Sequence, residues 1–119
     1  MSQEYIFTYY DGRGMGEPAR FILSYSKADW KDNRIQAHSP LPAEVKARLR
    51  FGQVPLLEFD GKRLVQSQAI FRYLAKKFNL TGKDEFEAAQ CDEIVDAVKD
   101  VQQLFIMAHH EKDETKKPE

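Results

Sequence analysis

Three short stretches of this chain carry residue types that could hold a small polar molecule. They are the tyrosine pair at 9–10, the run GQVP at 52–55 and the pair QS at 66–67. A tyrosine hydroxyl can donate to an anion, a proline at the start of a strand suits a bend, and a helix start attracts anions. Ser67 also stands where a helix N-cap belongs, ahead of a helical pattern over 69–78.

Other chemistries find less support. A single cysteine, Cys91, excludes an intramolecular disulfide framework and a cysteine-based metal site. It lies on an apolar helical stripe, which predicts a buried and inert thiol. His109 and His110 are adjacent and would diverge on a helix, and His38 stands alone, so no metal site is predicted. The glycines at 12, 14 and 16 match neither a dinucleotide-binding pattern nor a P-loop, which favours a tight turn.

Charge and hydropathy restrict the classes of protein to which this chain can belong. The 119 residues include 18 Lys plus Arg and 19 Asp plus Glu, for a formal net charge of −1. A nucleic-acid binder would carry a basic surplus, so we expect no nucleic-acid partner. No apolar run approaches the roughly 18 residues of a membrane span, and the first residues do not resemble a signal peptide. With one cysteine, these features predict a cytoplasmic protein without a membrane partner.

The elements that must position the three stretches follow the order β-α-β-α-β-β-α over residues 1–80. Strands are predicted at 5–9, 30–35, 56–59 and 62–65, with an Asp-Gly turn joining the last two. Helices are predicted at 18–27, 41–49 and 69–78. The first β-α-β unit requires a parallel pair with a right-handed crossover, and the hairpin adds antiparallel strands. This order predicts a thioredoxin-like α/β sandwich.

A thioredoxin-like sheet used for disulfide exchange would carry Cys-x-x-Cys after its first strand. This chain has Tyr9, Tyr10, Asp11 and Gly12 there. Disulfide exchange is therefore excluded, and a tyrosine occupies the working position.

Residues 84–119 predict the start of an all-helical second domain, with one long helix over 85–108 and a polar end. Apolar residues recur along the helix at spacings of three and four. They are Cys91, Ile94, Val98, Val101, Phe105 and Ala108. Such a stripe must be buried, by the sheet domain on one flank and by further helices or a second subunit elsewhere. The pattern predicts a chain cut within its second domain, or one that depends on a partner.

Six motifs occur in a fixed order along residues 8–75, within a resemblance that runs over about 5–105. They are TYY at 8–10, RG at 13–14, GEPAR at 16–20, FGQVP at 51–55, DG at 60–61 and QSQAI-x-RYLA at 66–75. Each motif alone is weak, but together they resemble cytosolic glutathione transferases. The sigma-like class, which includes glutathione-dependent prostaglandin D synthases and the S-crystallins, is the most similar.

The resemblance implies a glutathione transferase, in which the glutathione thiolate attacks a small electrophile. A free thiol has a pKa near ~8.5, and lowering it by two units requires about 2.7 kcal/mol of preference for the anion. The resemblance implies that Tyr9 is the catalytic residue and that its hydroxyl donates a hydrogen bond to the sulfur. Tyr10 points to the opposite face of the strand and is the structural alternative. Glutathione is a co-substrate, and no cofactor is implied.

The resemblance also implies a glutathione site. The Val54 backbone, before a cis bond to Pro55, pairs with the cysteinyl part of glutathione, and Gly52 and Gln53 shape that loop.

The charged ends of glutathione are assigned to other residues by the same resemblance. Gln66 and Ser67 hold the γ-glutamyl carboxylate, and Lys46 meets the glycyl carboxylate. Asp100 reaches the glutamyl amine of the neighbouring subunit, which implies a homodimer; a merely solvated helix face is the alternative for Asp100.

Two departures from the family pattern bear on the function. Leu41 is the residue nearest to the position of a frequent tryptophan, and Met15 stands where prostaglandin D synthases carry arginine. Two alternatives accompany the transferase. One is a glutathione-dependent prostaglandin isomerase, which Met15 disfavours. The other is a non-catalytic S-crystallin-like structural protein, which the retained Tyr9, Lys46, Gln66 and Ser67 disfavour.

Overall fold

The computed structural model describes residues 4–109. Contacts within the chain divide it between Leu80 and Thr81 into two compact units. The sequence predicts a polar end at 109–119; His109 is still helical, and 110–119 lie outside the described residues.

The first unit is built on a four-stranded mixed sheet. Its strands are β1 (Glu4–Tyr10), β2 (Asp29–Ile35), β3 (Leu56–Phe59) and β4 (Lys62–Val65), in the spatial order β2-β1-β3-β4. β1 and β2 are parallel, whereas β3 pairs antiparallel with both β1 and β4. The parallel pair and the hairpin confirm the thioredoxin-like α/β prediction.

Three helices accompany the sheet. They are α1 (Glu17–Tyr25), α2 (Ala43–Lys46) and α3 (Ser67–Lys77). A 3-10 turn at Gly14–Gly16 leads into α1, which has Pro18 in its first turn, where the absence of an N–H does no harm.

The prediction of a helix over 41–49 was wrong in extent. Pro42 has an extended ψ of 143° and caps a helix of only four residues. A residue before proline is driven out of the helical region, so Leu41 cannot be helical. Val45 and Leu49 are nevertheless buried, because the chain continues in turns that keep both on one side.

Strand alternation divides the core into two clusters, one on each sheet face. The first contains Tyr5 and Phe7 of β1 with residues of α1 and α3, and the second packs Ile35, Leu56 and Val65 against Val45 and Leu49. The members of the first cluster are Tyr5, Phe7, Ala19, Leu23, Leu57, Phe59, Ile70, Phe71 and Leu74. Tyr9 packs against the first cluster and Tyr10 against the second, so the two tyrosines do face opposite ways.

The second unit contains one long helix, α4 (Glu85–His109). Two side-chain hydrogen bonds secure its start: the Glu87 N–H donates to Asp84 Oδ1 at 2.9 Å, and Glu87 Oε1 accepts from the Lys83 N–H at 2.7 Å. The Asp-x-x-Glu spacing at 84–87 is a sequence signal for this helix start. Within residues 4–109, no helix is long and apolar enough to cross a bilayer.

The apolar stripe of α4 is exposed in this chain. Ile94, Val98 and Phe105 are 65%, 53% and 68% exposed. Cys91 is exposed as well, so the prediction of a buried thiol was wrong. The physical reason is that α4 is the one regular element in residues 81–109, and a lone helix cannot bury its own stripe.

Candidate functional site

Tyr9 lies near the carboxyl end of β1, where its ring is half-buried against the first core cluster. The Met15 backbone N–H donates to the Tyr9 hydroxyl oxygen at 3.0 Å. Among residues 4–109, no acceptor takes the Tyr9 O–H proton. The Tyr9 oxygen therefore accepts a hydrogen bond from the Met15 N–H, while the hydroxyl proton remains available to a bound anion. The bond that the oxygen accepts strengthens the bond that the proton can donate.

The turn after β1 fits closely around this ring. A Cβ built on Gly16 would lie 2.5 Å from Tyr9 Cδ2, and one on Gly14 would lie 2.7 Å from the Tyr9 hydroxyl oxygen. Gly14 also has a φ of +41°, in the left-handed region. Glycine is thus required at both positions for the phenol to occupy its place.

The segment before β3 lies at the same end of the sheet as Tyr9. β3 begins at Leu56, directly after the cis peptide bond between Val54 and Pro55, the isomer that the resemblance implied. Gly52, with a φ of +73°, and Gln53 are exposed, and Val54 is half-buried. Within residues 4–109, the Val54 backbone groups form no backbone hydrogen bond, which leaves them free to pair with an extended ligand.

A third segment lies at the start of α3, and here the capping prediction was wrong. Gln66, not Ser67, is the N-cap, and the cap makes no side-chain hydrogen bond. Ser67 is already the first helical residue, so its hydroxyl is not placed to cap the turn beyond it. The Gln66 carbonyl accepts the first helical bond, from the Ile70 N–H at 3.0 Å, which leaves the preceding N–H groups pointing out of the helix end.

Gln66 holds an unusual backbone conformation for this position. Its φ of +77° lies where side chains other than glycine are rarely found. Nothing in the sequence pattern signals this, because glutamine has no turn preference that predicts a positive φ.

Strand register brings these three segments together. Thr8 pairs with Leu56, and Leu56 pairs with Val65. The next residues along these strands are Tyr9, Pro55 and Gln66. They therefore lie side by side at the same end of three neighbouring strands, which are about 4.8 Å apart. Strand pairing thus brings the Tyr9 phenol, the unpaired backbone at Val54 and the start of α3 to the same end of the sheet.

Lys46 and Asp100, the two charged residues implied for the ligand's ends, are both exposed. Lys46 is the last residue of α2, and Asp100 lies on α4 in the other unit. Their roles stay predictions. Leu41 is half-buried against the second core cluster, where it serves packing.

Residues 6–76 match the family described as glutathione S-transferase, N-terminal domain. The chain belongs to the glutathione S-transferase family.

Relatives within this transferase family match most of the chain. It is 47% identical over 97 residues to "Glutathione S-transferase 1" of Ascaris suum, which covers 82% of this chain and 46% of that protein. It is 42% identical over 110 residues to "Hematopoietic prostaglandin D synthase" of Homo sapiens, covering 92% and 54%. The chain thus spans about half the length of the curated relatives it matches.

A solved glutathione S-transferase has the same fold. It is the "monomeric Na-GST-3" of the hookworm Necator americanus, which superposes with a TM-score of 0.77 at 39% identity, over 90% of this chain and 53% of that one. The thioredoxin-like arrangement of this chain is therefore that of a transferase family member.

One residue beside the site had no role in the sequence prediction. Arg20 of α1 is 4% exposed, and its guanidinium lies 5.6 Å from the centre of the Tyr9 ring. The signal for it was present: Arg20 precedes Leu23 by three positions, so the helical period places a cation on the core-facing side of α1.

Proposed function

We propose that this chain is the glutathione-binding part of a glutathione transferase, in which Tyr9 stabilises the thiolate of glutathione. One observation carries the proposal: the Tyr9 hydroxyl accepts from the Met15 N–H at 3.0 Å and keeps its proton unpaired, next to two segments suited to a peptide ligand. Family membership supports the same reaction class.

In the proposed step, the thiol of glutathione loses its proton to solvent, and the Tyr9 O–H donates to the resulting sulfur anion. The sulfur lone pair then forms a C–S bond with an electrophilic carbon, and a leaving group such as chloride departs with its electron pair. Tyr9 keeps its proton throughout. A hydrogen bond to a charged group contributes about 1.5–3 kcal/mol, which accounts for most of the thiol pKa shift that such a reaction needs.

Glutathione is held in this proposal by the two segments beside Tyr9. The Val54 N–H and C=O pair with its cysteinyl residue as a short strand does, in a loop shaped by Gly52 and Gln53. The γ-glutamyl carboxylate lies at the start of α3, against Gln66 and Ser67, where the free N–H groups and the helix dipole favour an anion.

Two contacts of the proposal remain, and the second of them needs a second subunit. Lys46 meets the glycyl carboxylate, and Asp100 reaches the glutamyl amine of glutathione bound to the neighbouring copy. The exposed apolar stripe of α4 supports a homodimer, because it leaves a surface to be covered. We also propose a cytoplasmic protein of the sigma-like class that detoxifies small electrophiles.

Glutathione resin and a generic aryl halide test the proposal in the full chain. We expect retention on the resin and conjugation of the halide, with a Tyr9→Phe variant that still binds but turns over about 10- to 100-fold more slowly, the loss of one charge-assisted hydrogen bond. Tyr10→Phe is the matched control and should keep the wild-type rate. A Tyr9→Phe variant at full rate would refute the thiolate role, and binding without turnover in the wild type would favour the S-crystallin-like alternative.

A prostaglandin isomerase is the second candidate. The 42% identity with a protein named hematopoietic prostaglandin D synthase favours it. Met15, which stands where those synthases carry arginine, speaks against it. An assay for the isomerised product, run beside the aryl halide assay on one preparation, separates the two candidates.

A further inference from the structure

A buried cation lies beneath the candidate site. The Arg20 side chain is 5% exposed, and its guanidinium carbon lies 5.6 Å from the centre of the Tyr9 ring and 5.8 Å from that of Phe7. A guanidinium near the face of an aromatic ring is attracted to it and restricts where the ring can lie.

The same guanidinium holds the beginning of the turn around Tyr9. Its Nη2 donates to the Tyr10 carbonyl at 2.8 Å, and its Nη1 donates to the Gly12 carbonyl. These carbonyls flank the point at which β1 ends and the glycine turn starts. One rigid planar group thus contacts both the ring of Tyr9 and the backbone that folds back over it.

Two carboxylates keep Arg20 in place. Asp32 of β2 accepts from Arg20 Nε at 3.1 Å, and Glu17 of α1 accepts from Nη1 at 3.3 Å. These are the charged groups that face the guanidinium, alongside the rings of Phe7 and Tyr9. Arg34 Nε donates to the second Asp32 oxygen at 2.8 Å, so the two arginines bind different oxygens of this carboxylate.

We propose that Arg20 is the positioning residue for Tyr9, on the basis of the transferase reaction proposed above. It fixes the turn so that the Met15 N–H meets the Tyr9 oxygen, and that bond directs the phenol proton outward. A lysine could neutralise the same carboxylates. It lacks the planar set of donors that reaches two carbonyls and two carboxylates together, so it cannot replace this function.

The test compares Arg20→Lys and Arg20→Met with the wild type in the full chain. We expect both variants to bind glutathione with KM changed by less than about twofold, because Arg20 is not proposed to touch the ligand. The pKa of the bound glutathione thiol, read from thiolate absorbance, should rise by about one unit, and kcat should fall by about tenfold. The backbone amide signal of Met15 in ¹⁵N NMR should move toward its position in Tyr9→Phe.

Arg34→Ala is the matched control: Arg34 lies opposite Tyr9 in the strand pairing, but its side chain bonds Asp11 and the other oxygen of Asp32, not the Tyr9 ring or the Tyr10 and Gly12 carbonyls. It should keep the wild-type thiol pKa and kcat within about twofold. In a Tyr9→Phe background, Arg20→Lys should add little to the loss, since both changes remove one function.

The proposal is overturned if a folded Arg20→Lys variant keeps the wild-type thiol pKa and Met15 signal, or if its effect adds in full to that of Tyr9→Phe. Should both Arg20 variants fail to fold, Asp32→Asn decides. We expect it to raise the thiol pKa by less than the one unit predicted for the Arg20 variants, whereas Arg34→Ala leaves that pKa unchanged; no rise in Asp32→Asn would count against the proposal. The Met15 signal needs no turnover. A wild type without thiolate therefore refutes the transferase reaction, whereas an unmoved Met15 signal in the Arg20 variants refutes the positioning role.

Discussion

The contact between Tyr9 and the glycine turn operates at the scale of single atoms. A methyl group at Gly16 would meet the Tyr9 ring at 2.5 Å, whereas one at Gly12 would meet nothing within 4 Å. The two glycines are four residues apart in one turn, yet only one of them is required by a neighbour. This difference provides a paired experiment.

We expect Gly16→Ala to lower the free energy of unfolding by about 1–3 kcal/mol, as overpacking does. It should also slow glutathione conjugation, because the ring or the turn must shift. Gly12→Ala, the matched control, should change the free energy of unfolding by less than about 0.5 kcal/mol. Denaturant unfolding and the conjugation assay measure both effects, and equal behaviour of the two variants would contradict the close fit.

Tyr5, on the same face of β1, predicts a pH dependence of stability. Burial, with a smaller effect of the nearby Tyr73, raises the pKa of Tyr5 above the ordinary value of 10.0. The native state therefore holds the Tyr5 proton more tightly than the unfolded state does. Its contribution to stability is complete below pH 10 and is lost as the pH rises through the raised native pKa.

Denaturant unfolding of the wild type should accordingly show a decline in stability above about pH 10. Tyr5→Phe keeps the ring that packs against Phe59 at 5.2 Å between centres and should decline less steeply. Tyr25→Phe, at an exposed position, should retain the wild-type decline. An unchanged slope in Tyr5→Phe would show that other groups cause the loss.

At the scale of elements, the site depends on where strands and helices begin. Gln66 lies between β4 and α3 with a φ of +77°, a conformation that costs a side chain other than glycine about 1–3 kcal/mol. The strain lies at the position proposed to hold the γ-glutamyl carboxylate. Relief of this strain should therefore raise stability and weaken the binding of glutathione.

Gln66→Gly should raise the free energy of unfolding by about 1 kcal/mol, since relief of strain exceeds the added entropy of the unfolded glycine. The KM for glutathione should rise by about three- to tenfold through loss of the side-chain contact. Lys27→Gly, at a φ of +55° after α1, serves as control and should raise stability without a change in KM. A Gln66→Gly variant with unchanged KM would remove Gln66 from the proposed site.

At the scale of the whole molecule, the exposed apolar side chains of α4 call for a covering surface. Leu104 and Phe105 are 67% and 68% exposed, and large apolar side chains that are neighbours on a surface usually mark a contact face. The predicted homodimer would bring a second copy's residues to this chain's site. Asp100 is the residue of α4 on which that idea can be tested.

Asp100→Asn should raise the KM for glutathione by about fivefold, for loss of about 1 kcal/mol from an ion pair across subunits. Glu93→Gln, another exposed acid on α4, should leave KM unchanged. Sedimentation should show a dimer at assay concentrations. A fully active monomer with wild-type KM in Asp100→Asn would contradict the shared site.

The sequence by itself determined most of the local structure. Aromatic and β-branched runs predicted the strands, Pro18 and Glu17 marked the start of α1, and the Asp60-Gly61 pair placed the hairpin turn. These signals lie within a few residues of one another, so short-range sterics and hydrogen bonding decide them. The family motifs added the cis bond at Pro55, which the structure contains.

Only the tertiary structure decided what happens between distant segments. The pairing of Thr8 with Leu56 joins stretches more than forty residues apart, and the buried guanidinium of Arg20 on α1 has its ion-pair partner, Asp32, on β2. For Cys91 the prediction of burial was wrong, because a place on an apolar stripe leads to burial only where a second surface packs against it. A periodic pattern specifies which face of an element is apolar, whereas the packing partner is set by contacts across the fold, which local sequence does not encode.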